Sequence, residues 1–577
     1  MSMEYRERAI DRHFAEFICR QEARWMDEVF RLVVSMASGA VGKGSSCLDL
    51  AGIAGSTVIA GSREYRLPEL KALTDLLKSS SVVSFQGREH RPLVLDTAGR
   101  LYLFRFWRYE QELAGMLLQK AAQEPGVPDD MHLHEGLQRL FPGNGGSEED
   151  LQKKAAEVAL HRRFTVISGG PGTGKTSTVV RILAILLEQP GEGRKIALAA
   201  PTGKAVARLK ASIAGMKGSI DCQDEVRSAI PNDVKTIHGL LGTIPGSARF
   251  RHSKENPLPF DTVIIDEASM VSLPLMHALV SAMRPFTSLL LIGDMDQLAS
   301  VEAGSAFSEI CEAAAVKPHS VIGNCMVKLE KNYRFSESEG IARLGRMVAA
   351  GNEKEVIEAL VSGSLPSVHW HPAPAKGELR RFLAPRVIEG YRSFLEAATP
   401  AEALERFERY RVLCALREGN YGVSGLNREI ENILSQSGFI KPADRFYRGC
   451  PILVTINDYT LRMFNGDTGI LFNDPEYSDE TRAFFSSSDG GMRSIPPERL
   501  PQHEKAYAMT VHKSQGSEFD SVLMILPPAE NEILTRELLY TGITRARYAV
   551  ELVADDTVIS VAIKNRIDRS SGLLDVL

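Results

Sequence analysis

The sequence predicts an α/β protein. Two regions of parallel sheet wound with helices follow a mixed N-terminal domain, and a small all-β insertion interrupts the second region. Three observations predict this. Residues 169–176 read Gly-Gly-Pro-Gly-Thr-Gly-Lys-Thr, between an apolar β-type run at 164–168 and a helical pattern at 179–187; that order is the strand, glycine-rich loop and helix of a phosphate cradle. Apolar β runs alternate with helical segments from Glu149 to about 320, and again from about 330 to 555, as in a parallel sheet with helical crossovers. Within the second stretch, residues 448–456 and 464–472 are short β runs around an Asn-Gly-Asp turn, closer to a small barrel than to a strand-helix unit.

Taken in order, residues 1–122 mix helical periodicity (Phe14, Phe17, Ile18) with short β runs at 81–85 and 101–104, and carry no recognisable chemistry. Turn-rich loops at 123–130 and 142–147 place the first boundary between them. The first α/β domain is assigned to 148–328, with strands at 164–168, 196–200, 262–265 and 288–292. The second is assigned to 329–577, with strands at 410–415, 521–525 and 549–553 and the β insertion at about 445–505.

A chain of 577 residues is too long for one ordinary domain. Its net charge of −5 announces no global basic field, so any contact with a polyanion must be local. Seven scattered cysteines without a CxxC pair argue against a disulfide framework, a zinc ribbon or an iron–sulfur cluster, and fit a reducing compartment. The N-terminus lacks an apolar signal core and no stretch reaches eighteen apolar residues, so a cytoplasmic protein is expected.

The cradle residues Gly169, Gly170, Pro171, Gly172, Thr173 and Gly174 supply backbone N–H groups and a helix N-terminus to phosphates. The Lys175 ammonium reaches the outer phosphates, and the Thr176 hydroxyl can ligate Mg²⁺. A nucleoside triphosphate is therefore the expected ligand. The run Val-Ile-Ile-Asp-Glu at 263–267 is an apolar strand ending in two acids: Asp266 to help hold Mg²⁺, and Glu267 to polarise an attacking water. A further buried strand ends in a turn presenting Asp294 and Gln297, whose amide can orient water or sense a γ-phosphate.

The ordered set GGPGTGKT (169–176), APTGKA (200–205), TIHGLLG (236–242), VIIDEASM (263–270), LIGDMDQLASVEAG (291–304), NYRF (332–335), TVHKSQGSEFD (510–520) and YTGITRAR (540–547) resembles superfamily-1 helicases of the 5′-to-3′ branch. Within that branch it is similar to the RecD family, the alpha subunits of exodeoxyribonuclease V (RecBCD) complexes. The resemblance runs from about 150 to the C-terminus and implies two RecA-like P-loop NTPase domains and an SH3-like insertion. It implies an ATP- and Mg²⁺-dependent motor that moves on single-stranded DNA, unwinds duplex ends and works beside RecB- and RecC-like subunits in double-strand break repair, with residues 1–122 docking the RecC-like partner. Position by position, it gives Lys175, Glu267 and Gln297 their catalytic roles and makes Arg334 and Arg545 the arginine fingers. Gly516 would lie at the γ-phosphate, Glu518 at the ribose, and Gln152 would read adenine. Thr202, Gly203, Lys204, Thr236, His238, Thr510, His512, Lys513 and Ser514 match strand-contacting positions. The basic stretch at 245–258 corresponds either to a fork-splitting hairpin or to a plain solvated one.

Several features read as bystanders. His369-Trp-His371 is expected on a strand surface, Gly39–Gly44 as a flexible loop, and 564–569 as a solvated helix face. No acidic metal cluster with a lysine stands outside the nucleotide site, so DNA cutting is expected in another subunit. The five intact residues Lys175, Glu267, Gln297, Arg334 and Arg545 speak against a merely structural subunit, and the lack of a GxGxxxA signature upstream speaks against a free-standing helicase.

Overall fold

The computed structural model describes residues 2–22, 27–124, 130–142, 150–189, 193–332, 339–375, 377–441, 445–458, 460–477, 480–487 and 491–577. Arg334, expected as one arginine finger, lies outside the described residues, as do parts of both boundary loops.

The first lobe is a six-stranded, wholly parallel sheet in the order Val234–Thr236, Ile196–Ala200, Thr262–Ile265, Ser288–Gly293, Phe164–Gly169, Met326–Leu329. Its central strands are buried along their length because helices cover both faces; this is why they read as continuous apolar runs rather than as alternating ones. The strand at 326–329 closes this sheet beside the cradle strand, so the first lobe reaches Leu329. The second lobe is a five-stranded parallel sheet: Val368–His371, Ala546–Val553, Phe519–Ile525, Tyr410–Cys414, Ala508–Thr510. Between its strands at 410–414 and 508–510 the chain forms an antiparallel five-stranded sheet spanning Pro451–Lys505, at the place expected for the insertion.

The N-terminal region holds a three-stranded and a four-stranded sheet around their own core. Its last helix, Phe104–Ala121, belongs by packing to the first lobe: Leu113, Ala114 and Leu117 are fully buried in that lobe's core. The 39–44 segment is no flexible loop; residues 39–42 form the last turn of the Glu28–Gly42 helix. Three apolar turns with a buried face outweigh the cost of two internal glycines.

The segment after Lys564 also departs from expectation. The Asp556–Lys564 helix ends there, and the chain crosses back from the second lobe to the first. Arg569 donates to Ser300 O at 2.6 Å and to Ser305 Oγ at 3.2 Å. Leu573 and Leu577 then sink into the core between the first lobe and the Phe104–Ala121 helix, each burial contributing about 1.5–3 kcal/mol. The sequence cue was misleading because alternating charges at 564–569 suit a solvated helix as well as a crossing strap.

Two carboxyls are buried where the strap lands. Ser571 Oγ lies between them, 2.8 Å from Glu110 and 2.6 Å from Glu309; Gly572 N donates to Glu110 at 3.1 Å and Ser305 N to Glu309 at 3.2 Å. Burial, together with the neighbouring Glu110, pushes the Glu309 carboxyl up to about 7. The folded protein thus keeps a proton that the unfolded chain releases near the ordinary value of 4.5. Stability therefore falls as pH rises between those values and levels off above the folded one. Thermal unfolding of the wild type is expected to lose on the order of 1–3 kcal/mol across that window. Glu309→Gln flattens the curve and is the more stable form at pH 8; parallel curves for the two proteins would refute the assignment.

Candidate active site between the two lobes

The cradle lies at the carboxyl end of its strand, where parallel α/β sheets bind ligands. Gly172 (φ 83°) and Gly174 (φ 80°) adopt left-handed conformations that side chains disfavour. These conformations let the loop fold back onto the N-terminus of the Lys175–Glu188 helix. Lys175 Nζ donates to the loop's own carbonyls, Gly169 O at 2.6 Å and Gly170 O at 3.0 Å, and Thr173 Oγ1 donates to Gly170 O at 2.9 Å. Thr176 occupies the first turn beside Lys175. Gln152 is nearly buried, donating to Thr173 O at 3.0 Å and accepting from Arg181 at 3.2 Å. In this arrangement Gln152 braces the cradle from beneath, its amide bonded at both ends.

The acids converge on the same spot from adjacent strands. Burial and the adjoining Glu267 push the Asp266 carboxyl up to about 6, while Lys175 and Arg208 oppose the rise. Burial likewise raises Asp294. Hard oxygen donors beside a phosphate cradle suit Mg²⁺, which takes one or two carboxylates and completes its shell with phosphate and water. Among the described residues no group of three or more His, Cys, Asp or Glu gathers as a metal cage. His371 instead lies on an edge strand, 3.2 Å from Glu551 and from Arg386.

Across the seam, the second lobe reaches into this site. Arg545, 2% exposed, donates to Gln297 Oε1 at 2.8 Å, and is itself held by Ser517 O at 3.0 Å and Thr541 O at 3.3 Å. Gln297 in turn donates to Asp294 Oδ2 at 2.9 Å, which also accepts from Tyr540 at 3.0 Å. Asn332 donates to Pro171 O at 2.8 Å. A cleft of about 430 Å³ runs along this junction, with Gly170 and Thr173 on one wall and Gly345, Tyr540 and Thr544 on the other. Arg545 thus reaches from the second lobe to a first-lobe side chain, Gln297.

One seam-spanning side chain escaped the sequence reading. Arg208, on the Gly203–Lys217 helix, spans the seam: one guanidinium nitrogen lies 3.5 Å from Glu267 Oε1, another 2.5 Å from Glu518 Oε1. Glu518, expected at a ribose, has a side chain only 4% exposed that lies between Arg208 and Arg547, with Arg547 Nε at 3.3 Å. Gly516, in a left-handed turn, packs against Thr202 and Ala205; a Cβ there would lie 3.6 Å from each.

The expected strand contacts divide into two groups. Thr202 and Thr236 cap helices, accepting from Ala205 N at 3.2 Å and Gly239 N at 3.0 Å. The exposed His238 ring stands edge-on to Phe250. Lys204 Nζ is shielded and finds no hydrogen-bond partner among the described residues, its nearest carboxylate, Glu408, being 4.0 Å away. Lys513 Nζ donates to Asn465 of the insertion at 2.6 Å, and Phe464 of the same turn packs on Gly203; the insertion thus touches both lobes at this surface. His512 is half-buried. Thr510 and Ser514 are corrections. Thr510 is 7% exposed and accepts from Lys513 N, while Ser514 is fully buried and donates to Val511 O at 2.7 Å, so these two hydroxyls shape the turn from inside. At the 245–258 stretch, Thr243 forms an isolated antiparallel bridge with Phe250, and Leu258 is anchored in the core.

Fold and site together define a two-lobed P-loop ATPase of the superfamily-1 helicase class. Family models match in the same order: an AAA domain over residues 152–303 and a UvrD-like helicase C-terminal domain over 505–553. The N-terminal domain of RecBCD enzyme subunit RecD matches residues 7–102. RecBCD enzyme subunit RecD of Mycobacterium tuberculosis is 38% identical over 98% of this chain and 93% of its own length; that of Haemophilus influenzae is 33% identical over 82% and 80%. The chain belongs to the RecD family. An ATP-dependent RecD2 DNA helicase of Deinococcus radiodurans is 30% identical over 78% of this chain and 54% of its own length. Among solved structures, Pif1 helicase from Bacteroides in complex with ADP-AlF3 and ssDNA is 16% identical, with a TM-score of 0.38 over 70% of this chain and 92% of that one. No helix among the described residues is long and apolar enough to cross a membrane.

Proposed function

We propose that the chain is the ATP-dependent 5′-to-3′ DNA helicase subunit of a RecBCD-type helicase-nuclease, acting in the cytoplasm on duplex ends during double-strand break repair and recombination. The observation that carries the reading is Arg545 of the second lobe bonded to Gln297 of the first, beside Lys175, Asp266 and Glu267. ATP brings the phosphoanhydride bond that is cleaved; Thr176 and Asp266 would hold Mg²⁺, which would supply charge neutralisation at the phosphates. The chain's own part is to grip phosphates with the cradle amides and Lys175, to accept the water proton at Glu267, and to place the Arg545 guanidinium on developing charge once the lobes meet. A shift of the lobes moves Thr202, Gly203 and Lys204 relative to His512 and Lys513, which is how hydrolysis advances a strand held by sequence-independent contacts. RecB- and RecC-like subunits are the partners, with residues 1–122 as the docking region and nuclease activity elsewhere in the complex.

The test is ATP turnover of the purified protein with and without single-stranded DNA, beside Lys175→Gln, and unwinding of duplexes bearing only a 5′ or only a 3′ overhang. Turnover that needs DNA and is lost in Lys175→Gln is expected, with unwinding from the 5′ overhang. DNA-independent turnover, or unwinding from the 3′ overhang alone, contradicts the proposal.

A further inference from the structure

Arg208 has no role in the scheme above, yet it is the side chain through which the two lobes' carboxylates meet. Its guanidinium joins Glu267, the proposed base, to Glu518 on the second lobe. Glu267 itself sits in a left-handed conformation, φ 52°, so its carboxylate is aimed by its surroundings and not by a relaxed strand end. Arg208 follows Lys204 by four residues, which puts both on one face of the Gly203–Lys217 helix, about 6 Å apart along its axis. The first turn of that helix carries Thr202, Gly203 and Lys204. Gly516, two residues before Glu518, packs on this same turn. The turn, Arg208 and the segment bearing Glu518 are therefore in mutual contact, while Glu267 stands at the end of its sheet strand.

We propose that Arg208 is a positioning residue that transmits strand occupancy at the first turn of its helix to the Glu267 carboxylate. The inference rests on the motor reading and deepens it by naming the link between DNA and hydrolysis. A rigid planar fork shared by two carboxylates cannot follow both when its helix shifts. The base is therefore re-aimed by movement of the helix, and no change of its own element is required. Arg545 and Lys175 act on phosphate; Arg208 acts through Glu267.

The experiment compares Arg208→Gln, Arg208→Lys and Glu518→Gln with wild type, measuring ATP turnover with and without oligo-dT and the affinity of a fluorescent ADP analogue. In Arg208→Gln the stimulation ratio is expected to fall about tenfold or more, within the range of coupled sites. The ATP KM and the ADP-analogue affinity stay within about threefold, and Arg208→Lys recovers part of the ratio. Glu518→Gln reproduces the loss, and the double substitution adds nothing, since both remove one linkage. In nucleotide-free wild type, oligo-dT slows hydrogen exchange at the 263–270 strand end, and in Arg208→Gln it does not. A ratio within twofold of wild type, equal losses of basal and stimulated turnover, or additive losses in the double variant would overturn the proposal. Failure of the motor reading is separate and shows in the wild type as turnover that DNA does not stimulate.

Discussion

Arg545→Lys is expected to cut DNA-stimulated ATP turnover by about a thousandfold or more while leaving the ATP KM within several-fold. The lysine keeps a positive charge but not the planar fork that meets two oxygens at once. In the structure that fork is positioned in advance: Ser517 O and Thr541 O hold two of its edges and Gln297 takes the third. Preorganised charge costs no reorganisation when the transition state forms, so its effect falls on kcat more than on binding. Steady-state kinetics at saturating DNA check this. A KM that rises with kcat unchanged would make Arg545 a nucleotide-binding group and no more.

Glu267→Gln is the second large effect, with turnover expected to drop about 10²- to 10⁴-fold, the span of general-base catalysis. Nucleotide affinity should hold or improve. The glutamine amide keeps the shape of the side chain, and removing its charge relieves Asp266, whose carboxyl is raised by burial and by Glu267. Single-turnover hydrolysis, with binding followed separately, distinguishes this from a folding defect. A variant that fails to bind nucleotide would point to structure instead of proton transfer.

The parts of this protein that were legible in sequence are those encoded locally. The strands at 196–200 and 262–265 are found at the expected residues, because strands covered on both faces are unbroken apolar runs. The cradle and the Asp266–Glu267 pair are likewise contiguous in the chain. What was missed depends on neighbours far along it. Strands at 234–236 and 508–510 are three residues each, too short to show periodicity. Arg208 looks like any charged residue of an amphipathic helix until Glu518, 310 residues later, is set against it. Ser514 and Thr510 match strand-contacting positions in their motif, but the motif does not say which way each side chain turns, and these two turn inward. The strap at 565–577 could not be read at all, since its partners Ser45, Glu110 and Glu309 belong to elements with no sequence relation to it.

In the proposed motor, ATP is cleaved between the lobes, with cradle and acids on one side and a guanidinium from the other. The most direct test is a structure of the protein with ADP, aluminium fluoride and single-stranded DNA, reading the distance from the Arg545 guanidinium to the planar fluoride. A separation of about 3 Å, a direct hydrogen bond, is expected. An Arg545 still confined to Gln297, with its guanidinium facing away from the fluoride, would contradict it.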